Sequence, residues 1–260
     1  MFLLQLHDAK HFKFDSEERE DWMIVNTTSD TSFYIGRTKS IQTEEGVFQP
    51  IFKGITSGLP SFNVEIFKVD LITGEPMEMT REDMSDLNRW LDRNEPKPLV
   101  VDEFIYHGLF SPQTGVWYPN ECGRIELKFD MVLPYMLGLP LEDIYEIEGE
   151  EIIIIENDSN VYGDYVYPKF QIGVCEGDTV TITNLENEQI TTLNNLKANN
   201  IYTIHNQQRQ MINENNVKEN VYANSNKKYQ YLESGENRIK ITTNGKIVFK
   251  IKWQPKICLQ

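Results

Sequence analysis

Thr80-Arg81-Glu82-Asp83-Met84-Ser85-Asp86-Leu87-Asn88-Arg89-Trp90-Leu91, followed by Asp92-Arg93-Asn94-Glu95-Pro96-Lys97-Pro98-Leu99-Val100-Val101, decides how this chain is read. Thr80 can accept a backbone hydrogen bond at a helix N-terminus. Asp83, three residues on, gives an imperfect capping box, and Glu82 and Asp83 sit where the helix dipole favours anions. Met84, Leu87, Trp90 and Leu91 recur at spacings of three and four, so they form one apolar stripe, with Arg81, Asp86, Asn88, Arg89 and Asp92 opposite. Glu95-Pro96-Lys97-Pro98 forbids further helix. Leu99, Val100 and Val101 then open an extended pattern that Phe104, Tyr106 and Phe110 continue.

Around this single helix the sequence reads as strands. Phe12 and Phe14 alternate with polar neighbours, Trp22 to Val25 is a short apolar run, and Ser61 to Val69 alternates Phe62, Val64 and Ile66 with polar residues. Leu71-Ile72-Thr73-Gly74-Glu75-Pro76 is a turn. Val116 to Tyr118 and Arg124 to Phe129 add strands, ending in Asp130-Met131-Val132-Leu133-Pro134-Tyr135. Ile152 to Ile155, between Glu148-Gly149-Glu150-Glu151 and a polar stretch to Asn160, reads as a connector strand. Beyond it, 169–174, 178–184, 189–193, 201–205, 238–242 and 246–253 are short strands at the regular spacing of a β-sandwich. The stretch 206–230 reads as the longest loop and a candidate contact surface.

Charge divides the chain as well. Residues 1–148 carry 13 basic and 27 acidic side chains, a net of −14, whereas residues 149–260 carry 12 and 13, a net of −1. The division predicts two domains, 1–148 and 149–260. The acidic half lacks the clustered cations that hold nucleic acid. Cys122, Cys175 and Cys258 are odd in number and widely spaced, so neither a disulfide framework nor a zinc ribbon is indicated, and a reduced, intracellular setting is expected. Met1 to Leu6 is too short for a signal-peptide core and reads as a first strand. The longest apolar stretch, Met131 to Leu141, is broken by Pro134, Gly138 and Pro140 and does not predict a membrane span.

Sites for chemistry are few. His7 and His11 are four apart but in a strand-like stretch, where that spacing does not converge on a metal; His107 and His205 have no ligand-spaced companions. No nucleophile elbow, His-Glu-x-x-His motif or phosphate-binding glycine loop occurs. Glu156, Asn157, Asp158, Asn160 and Asp164 supply oxygens that a calcium ion could use, but the stretch lacks the glycine and terminal glutamate of an EF-hand and reads as a polar linker. Tyr162, Tyr165 and Tyr167, and Trp117 with Tyr118, could stack on a sugar; aromatic residues at such spacing are more often core or interface. No catalytic, cofactor-binding or metal-binding residue is therefore assigned, and no cofactor is expected.

Taken in order, several segments resemble the distal tail proteins of long-tailed (siphovirus-type) bacteriophages. They are Leu87-Asn88-Arg89-Trp90-Leu91, Pro98-Leu99 with the strand through Tyr106, and Asp130 to Tyr135. In the second half they are Val180-Thr181-Ile182-Thr183-Asn184-Leu185, Leu196, Ile201 to Ile204, and Tyr231 to Ile239. The resemblance spans nearly the whole chain. It implies a mainly β fold: an N-terminal sandwich-like ring domain with one helix, followed by a C-terminal galectin-like β-sandwich. It further implies a structural, non-enzymatic role in the virion at the tail tip, assembled in the bacterial cytoplasm. There a homo-hexameric ring would join the tail tube protein to a hub or lysin protein, carry receptor-binding proteins at its periphery, and let DNA pass unbound through an acidic lumen. The second domain has no room for the inserted carbohydrate-binding module of longer relatives. Two other classes are weighed: a lectin-like module contacting host glycans, and a tail-associated hydrolase for which no catalytic set is visible.

Overall fold

A computed structural model describes residues 9–26, 37–42, 51–112, 124–161 and 163–258. The first strands are β1 (Lys10–Phe14), β2 (Glu17–Asn26), β3 (Arg37–Gln42), β4 (Ile51–Ser57) and β5 (Ser61–Lys68). The helix α1 (Arg81–Leu91) precedes β6 (Lys97–Val101), β7 (Phe104–Pro112), β8 (Arg124–Met131) and β9 (Tyr135–Gly138). Then come β10 (Leu141–Asn157), β11 (Lys169–Val174), β12 (Val180–Asn184), β13 (Gln189–Leu193), β14 (Ile201–His205), β15 (Gln210–Asn213), β16 (Gly235–Trp253) and β17 (Lys256–Cys258). The expectation of a mainly β chain with one α-helix is borne out among the described residues.

Two compact units result, residues 1–137 with 258–260, and residues 138–257. The division expected after residue 148 falls inside β10, which pairs without interruption of direction along β16. Gly149, ahead of the expected connector strand Ile152 to Ile155, lies where the register of these two strands shifts, at a positive φ of 76° that glycine adopts without a Cβ penalty.

In the first unit the strands run β7-β6-β1-β2-β5-β8, and β8 returns to pair with β7, so the sheet closes on itself as a six-stranded barrel. The sandwich-like domain is thus realised as a closed sheet. Alternate residues point inward as period-two patterning requires: Phe12, Phe14, Ile24, Val64, Ile66, Leu99 and Phe129 are all buried. Closure depends on Gly108. It pairs with Lys97 of β6 and also with Met131 of β8, so β7 changes partner at this residue. A Cβ here would lie 2.7 Å from Cε1 of Phe129 and collide with the Asp130 carbonyl oxygen. The Phe129 ring occupies the room a side chain would have taken, and packs edge-on to Phe110 at 5.0 Å and tilted to Phe62 at 5.4 Å.

Helix α1 begins where its sequence says it should. The Asp83 backbone N–H donates to Thr80 Oγ1 at 3.2 Å and the Thr80 N–H donates to Asp83 Oδ2 at 2.8 Å, a complete reciprocal box in which aspartate does what glutamate usually does. Its stripe faces the barrel: Leu87, Trp90 and Leu91 are buried, and the Trp90 indole stacks on Phe12 at 4.8 Å while Nε1–H donates to the Phe14 carbonyl at 3.2 Å. Met84, the fourth residue of the stripe, is only half-buried.

The second unit is one sheet of seven strands ordered β13-β12-β16-β11-β14-β15, with β10 on the other side of β16. Its axis is the 19-residue β16, which the sequence suggested as two strands. Residues 239–243 pair with β12 and residues 247–252 with β11. Between them Asn244 Oδ1 accepts from the N–H groups of Asp178 (2.9 Å) and Thr179 (3.1 Å), and a Cβ on Gly245 would overlap the backbone of Glu176 and Gly177. The shift at Glu148/Glu150 on β10 lies opposite this same stretch. With bulge and partner change at one level, the sheet curls into a half-barrel around Phe170, Ile172, Ile182, Tyr202, Ile204, Ile239, Ile247 and Phe249.

Two substitutions test this packing. Trp90→Ala should cost about 3–5 kcal/mol and Trp90→Phe about 1–3 kcal/mol, the latter by stranding the Phe14 carbonyl, in chemical denaturation of the purified chain. Gly108→Ala should cost about 1–3 kcal/mol in the same measurement, since its Cβ would meet the Asp130 carbonyl as well as the Phe129 ring.

Candidate functional site

The helix is anchored to the barrel by charge as well as by its apolar face. Lys68 on β5 places Nζ 2.7 Å from Asp83 Oδ1, and Arg93 places Nε 2.8 Å from Asp15 Oδ2 in the β1–β2 turn. The Lys68 hydrogen bond holds the Asp83 carboxyl below the usual carboxylate range, against burial, with the Thr80 N–H adding to the same effect. Between α1 and strands β7 and β8 lies a cleft of about 300 Å³, lined by Leu87, Leu91, Phe110, Ile125 and Leu127 with Asn88 and Asp92 at its margin. Apolar side chains and the polar Asn88 and Asp92 share its walls, and no nucleophile–base pair lines it.

The histidines do not converge. His11 is exposed on β1, while His107 and His205 are half-buried in different units, and burial pushes the imidazole pKa down in both. Among the described residues no three His, Cys, Asp or Glu side chains come together as a metal site. The stretch weighed for calcium is tied to neighbours. Asn157 is buried, donating from Nδ2 to the Glu233 carbonyl at 2.9 Å and accepting the Ser159 hydroxyl at 2.7 Å, and Asp164 pairs with Lys256 at 2.8 Å. The Glu156 carbonyl accepts the Trp253 indole N–H at 3.2 Å.

Tyr165 and Tyr167 are partly exposed, and a third ring the sequence gave no reason to add joins them. Tyr165 stacks on Tyr231 at 4.0 Å, and Tyr167 meets the same ring edge-on at 6.4 Å. Tyr231 is fixed through its backbone, whose N–H donates to Gln189 Oε1 at 3.0 Å and whose carbonyl accepts the amides of Asn184 and Asn187, each at 3.1 Å. His7, Trp117, Tyr118, Cys122 and Tyr162 lie outside the described residues.

The segment 206–230, expected to be a loop, is woven into the sheet. It contains β15 and a 3-10 turn at Val221–Asn224, and Met211, Asn213, Val221 and Gln230 are buried. Asn206 donates to the Pro168 carbonyl at 2.6 Å and accepts the Gln230 N–H at 2.8 Å, while the Gln230 side chain donates to the Ile182 carbonyl at 2.6 Å. The amides of this segment thus serve buried backbone groups.

Charge also distributes differently from the sequence reading. Glu142, Asp143, Glu146 and Glu148, counted with the first half, lie on β10 in the second unit. Moving them leaves nets of −10 for residues 1–137 with 258–260 and −5 for residues 138–257. Along the paired strands, Glu142 meets Lys250 and Lys252, Glu146 meets Lys246 at 3.3 Å, and Glu150 meets Lys240 at 2.8 Å. A ladder of opposite charges thus covers one face of the curled sheet.

A closed six-stranded barrel with one capped helix, joined in sequence to a curled seven-stranded sheet, is the fold of a siphophage distal tail protein. Residues 142–251 match the family model described as a phage tail C-terminal domain. Among solved structures the chain is similar to the Dit protein of phage SPP1, described as a paradigm of the hub adsorption apparatus in phages that infect Gram-positive bacteria. The identity is 12%, with 96% of this chain and 99% of that chain covered and a TM-score of 0.68. A chain of the phage P2 baseplate in its activated conformation with Ca is also similar, at 11% identity over 94% of this chain and 98% of that chain, with a TM-score of 0.48. No curated protein sequence matches the chain. The resemblance drawn from the ordered segments is therefore borne out in fold.

The Lys68–Asp83 contact gives a pH test. Because the Asp83 pKa is depressed in the folded chain, its contribution is present above the unfolded carboxylate value and is lost as pH falls through the folded one. Removing the charge with Asp83→Asn should flatten the acid-side slope of stability, roughly between pH 5 and 3, by less than about 1 kcal/mol given the partial exposure of the pair. Urea melts of both proteins across that range check it; parallel slopes would contradict it.

Proposed function

We propose that this chain is a structural component of a phage tail tip: a distal tail ring that joins the tail tube to the hub and lets DNA through without binding it. The observation that carries the reading is the likeness in fold to SPP1 Dit, with a TM-score of 0.68 over 96% of this chain and 99% of that one. The match of residues 142–251 to a phage tail domain supports it independently. In this reading the chain is not an enzyme, six copies close around a channel, and the second unit faces outward as a port for receptor-binding proteins. The acidic balance of the barrel unit suits a conduit, since a lumen without clustered cations does not hold a polyanion. The protein belongs, on this account, at the tail tip of the virion, assembled in the host cytoplasm.

A lectin-like reading has one observation in its favour, the exposed Tyr165 and Tyr167 rings held against Tyr231. Rings of this kind suit a sugar face or a protein partner equally, and the fold match gives no weight to sugar.

Antibody labelling of virions should place the protein at the tail tip, and particles made without it should carry blunt or incomplete tails and fail to infect. Normal, infectious tails without it would overturn the reading. Reversing acidic residues that face the channel should slow DNA ejection while leaving particles assembled, as read by dye release or calcium-triggered ejection assays; unchanged ejection would remove the role given to the acidic lumen.

A further inference from the structure

Asn244-Gly245 is the one Asn-Gly pair in the sequence. An asparagine followed by glycine carries its own electrophile and nucleophile. The Gly245 backbone nitrogen can attack Asn244 Cγ, and the missing Cβ of glycine leaves that approach open in a flexible chain. An Asn-Gly pair ordinarily marks a tight turn between strands. Here it lies inside the 19-residue β16, at the level where that strand passes from β12 to β11.

The side-chain amide is held at both ends. Asn244 Oδ1 accepts the N–H groups of Asp178 (2.9 Å) and Thr179 (3.1 Å), and Nδ2 donates to Asp178 Oδ1 at 2.7 Å. The Asp178 carboxylate is fixed in turn by the Thr179 hydroxyl at 3.0 Å, and these hydrogen bonds, that of Asn244 first, hold its pKa below the usual carboxylate range. On the nucleophile's side, the Gly245 N–H donates to the Thr243 hydroxyl at 3.3 Å. The backbone on either side is engaged as well: Thr243 pairs with Val180, Lys246 pairs with Glu148, and the Lys246 N–H donates to the Glu176 carbonyl at 3.1 Å. Asn244 itself is exposed, so water reaches it. What the fold withholds is freedom of the amide and of the backbone beside it.

We propose that Asn244 is a self-modification site, kept closed by the folded second unit and opened when β16 separates from the turn 175–179 between β11 and β12. Attack of the Gly245 nitrogen on Asn244 Cγ closes a five-membered succinimide. The side-chain nitrogen leaves as ammonia and takes up the proton that the Gly245 nitrogen gives up. Water then adds to one or other ring carbonyl, opening the ring to aspartate or to isoaspartate. Ring closure requires the amide to leave Asp178 and Thr179 and the backbone to leave its extended pairing, so the near-attack arrangement is excluded while those contacts hold.

Neither product restores the site. Aspartate sets a carboxylate oxygen where an N–H now meets the Asp178 carboxylate, and like charges in contact oppose each other. Isoaspartate adds one atom to the main chain, at the level where β16 must keep register with β10, β11 and β12 together. A copy that has opened here for long enough is thereby marked chemically. The inference concerns the second unit alone and holds whatever assembly the chain joins.

The test follows the full chain at mildly alkaline pH, without denaturant and in urea strong enough to unfold it. Mass spectrometry of the tryptic peptide 241–246, in which Asn244 is the only side-chain amide, reads conversion, and chromatography separates the two products. Without denaturant, conversion should be about tenfold or more slower than in urea, because it waits on opening of the sheet. Asp178→Ala removes the Nδ2 partner but keeps both backbone donors; it should speed conversion several-fold without denaturant and leave the rate in urea unchanged. Thr243→Val, which frees the Gly245 N–H with little change of shape, should act in the same direction and keeps the test intact if circular dichroism shows Asp178→Ala to be unfolded. Equal rates in the folded and unfolded natural chain overturn the proposal. So do folded variants that convert no faster than the natural chain.

Discussion

One constraint recurs in both units: a strand must serve two partners in succession, and it does so where a side chain is missing. In the barrel, β7 passes from β6 to β8 at Gly108, and the Phe129 ring fills the space left there. In the curled sheet, β16 passes from β12 to β11 around Asn244 and Gly245, against the backbone of Glu176 and Gly177. Without the first change of partner the six strands would form an open sheet with two exposed edges. Without the second, β16 could not carry two short strands end to end along one side while β10 runs along the other. Curvature in each unit therefore follows from local close approach rather than from overall composition.

The helix and the buried amides then fix what the curvature makes. Trp90 joins α1 to the barrel both by stacking on Phe12 and by a hydrogen bond to the Phe14 carbonyl, so one residue combines apolar cover with polar satisfaction. In the second unit Asn184, Asn206 and Asn237 lie buried and serve backbone carbonyls of loops, and the buried Gln230 serves the Ile182 carbonyl of β12. Each is more costly to remove than its exposure pattern suggests, because its partner would be left buried and unpaired.

How much of this was legible in the sequence varied with the range of the interaction. The capped helix and the barrel-facing strands were plain, since their periodicity and punctuation are local. Barrel closure was not, because nothing near Gly108 in sequence announces that Phe129 will lie against it. The sequence showed only Ile152 to Ile155 of β10 and divided β16 into 238–242 and 246–253; the glutamates and lysines along both strands are rungs of a cross-strand ladder that only the pairing reveals. The asparagine-rich stretch 206–230 read as loop, since composition does not distinguish an amide facing water from one facing a buried carbonyl. The β3–β4 hairpin went unread, although Glu44-Glu45-Gly46 between two strand-like runs is a turn signal. The third tyrosine of the Tyr165, Tyr167, Tyr231 group was not legible, being 64 residues from its nearest partner in the chain.

Each unit is complete in its own core, so the proposed role turns on whether copies of the chain associate. Electron microscopy of the purified full chain tests this most directly. The account predicts class averages of a sixfold ring with an open centre wide enough for a DNA duplex; a homogeneous population of single copies across the accessible concentration range would contradict it.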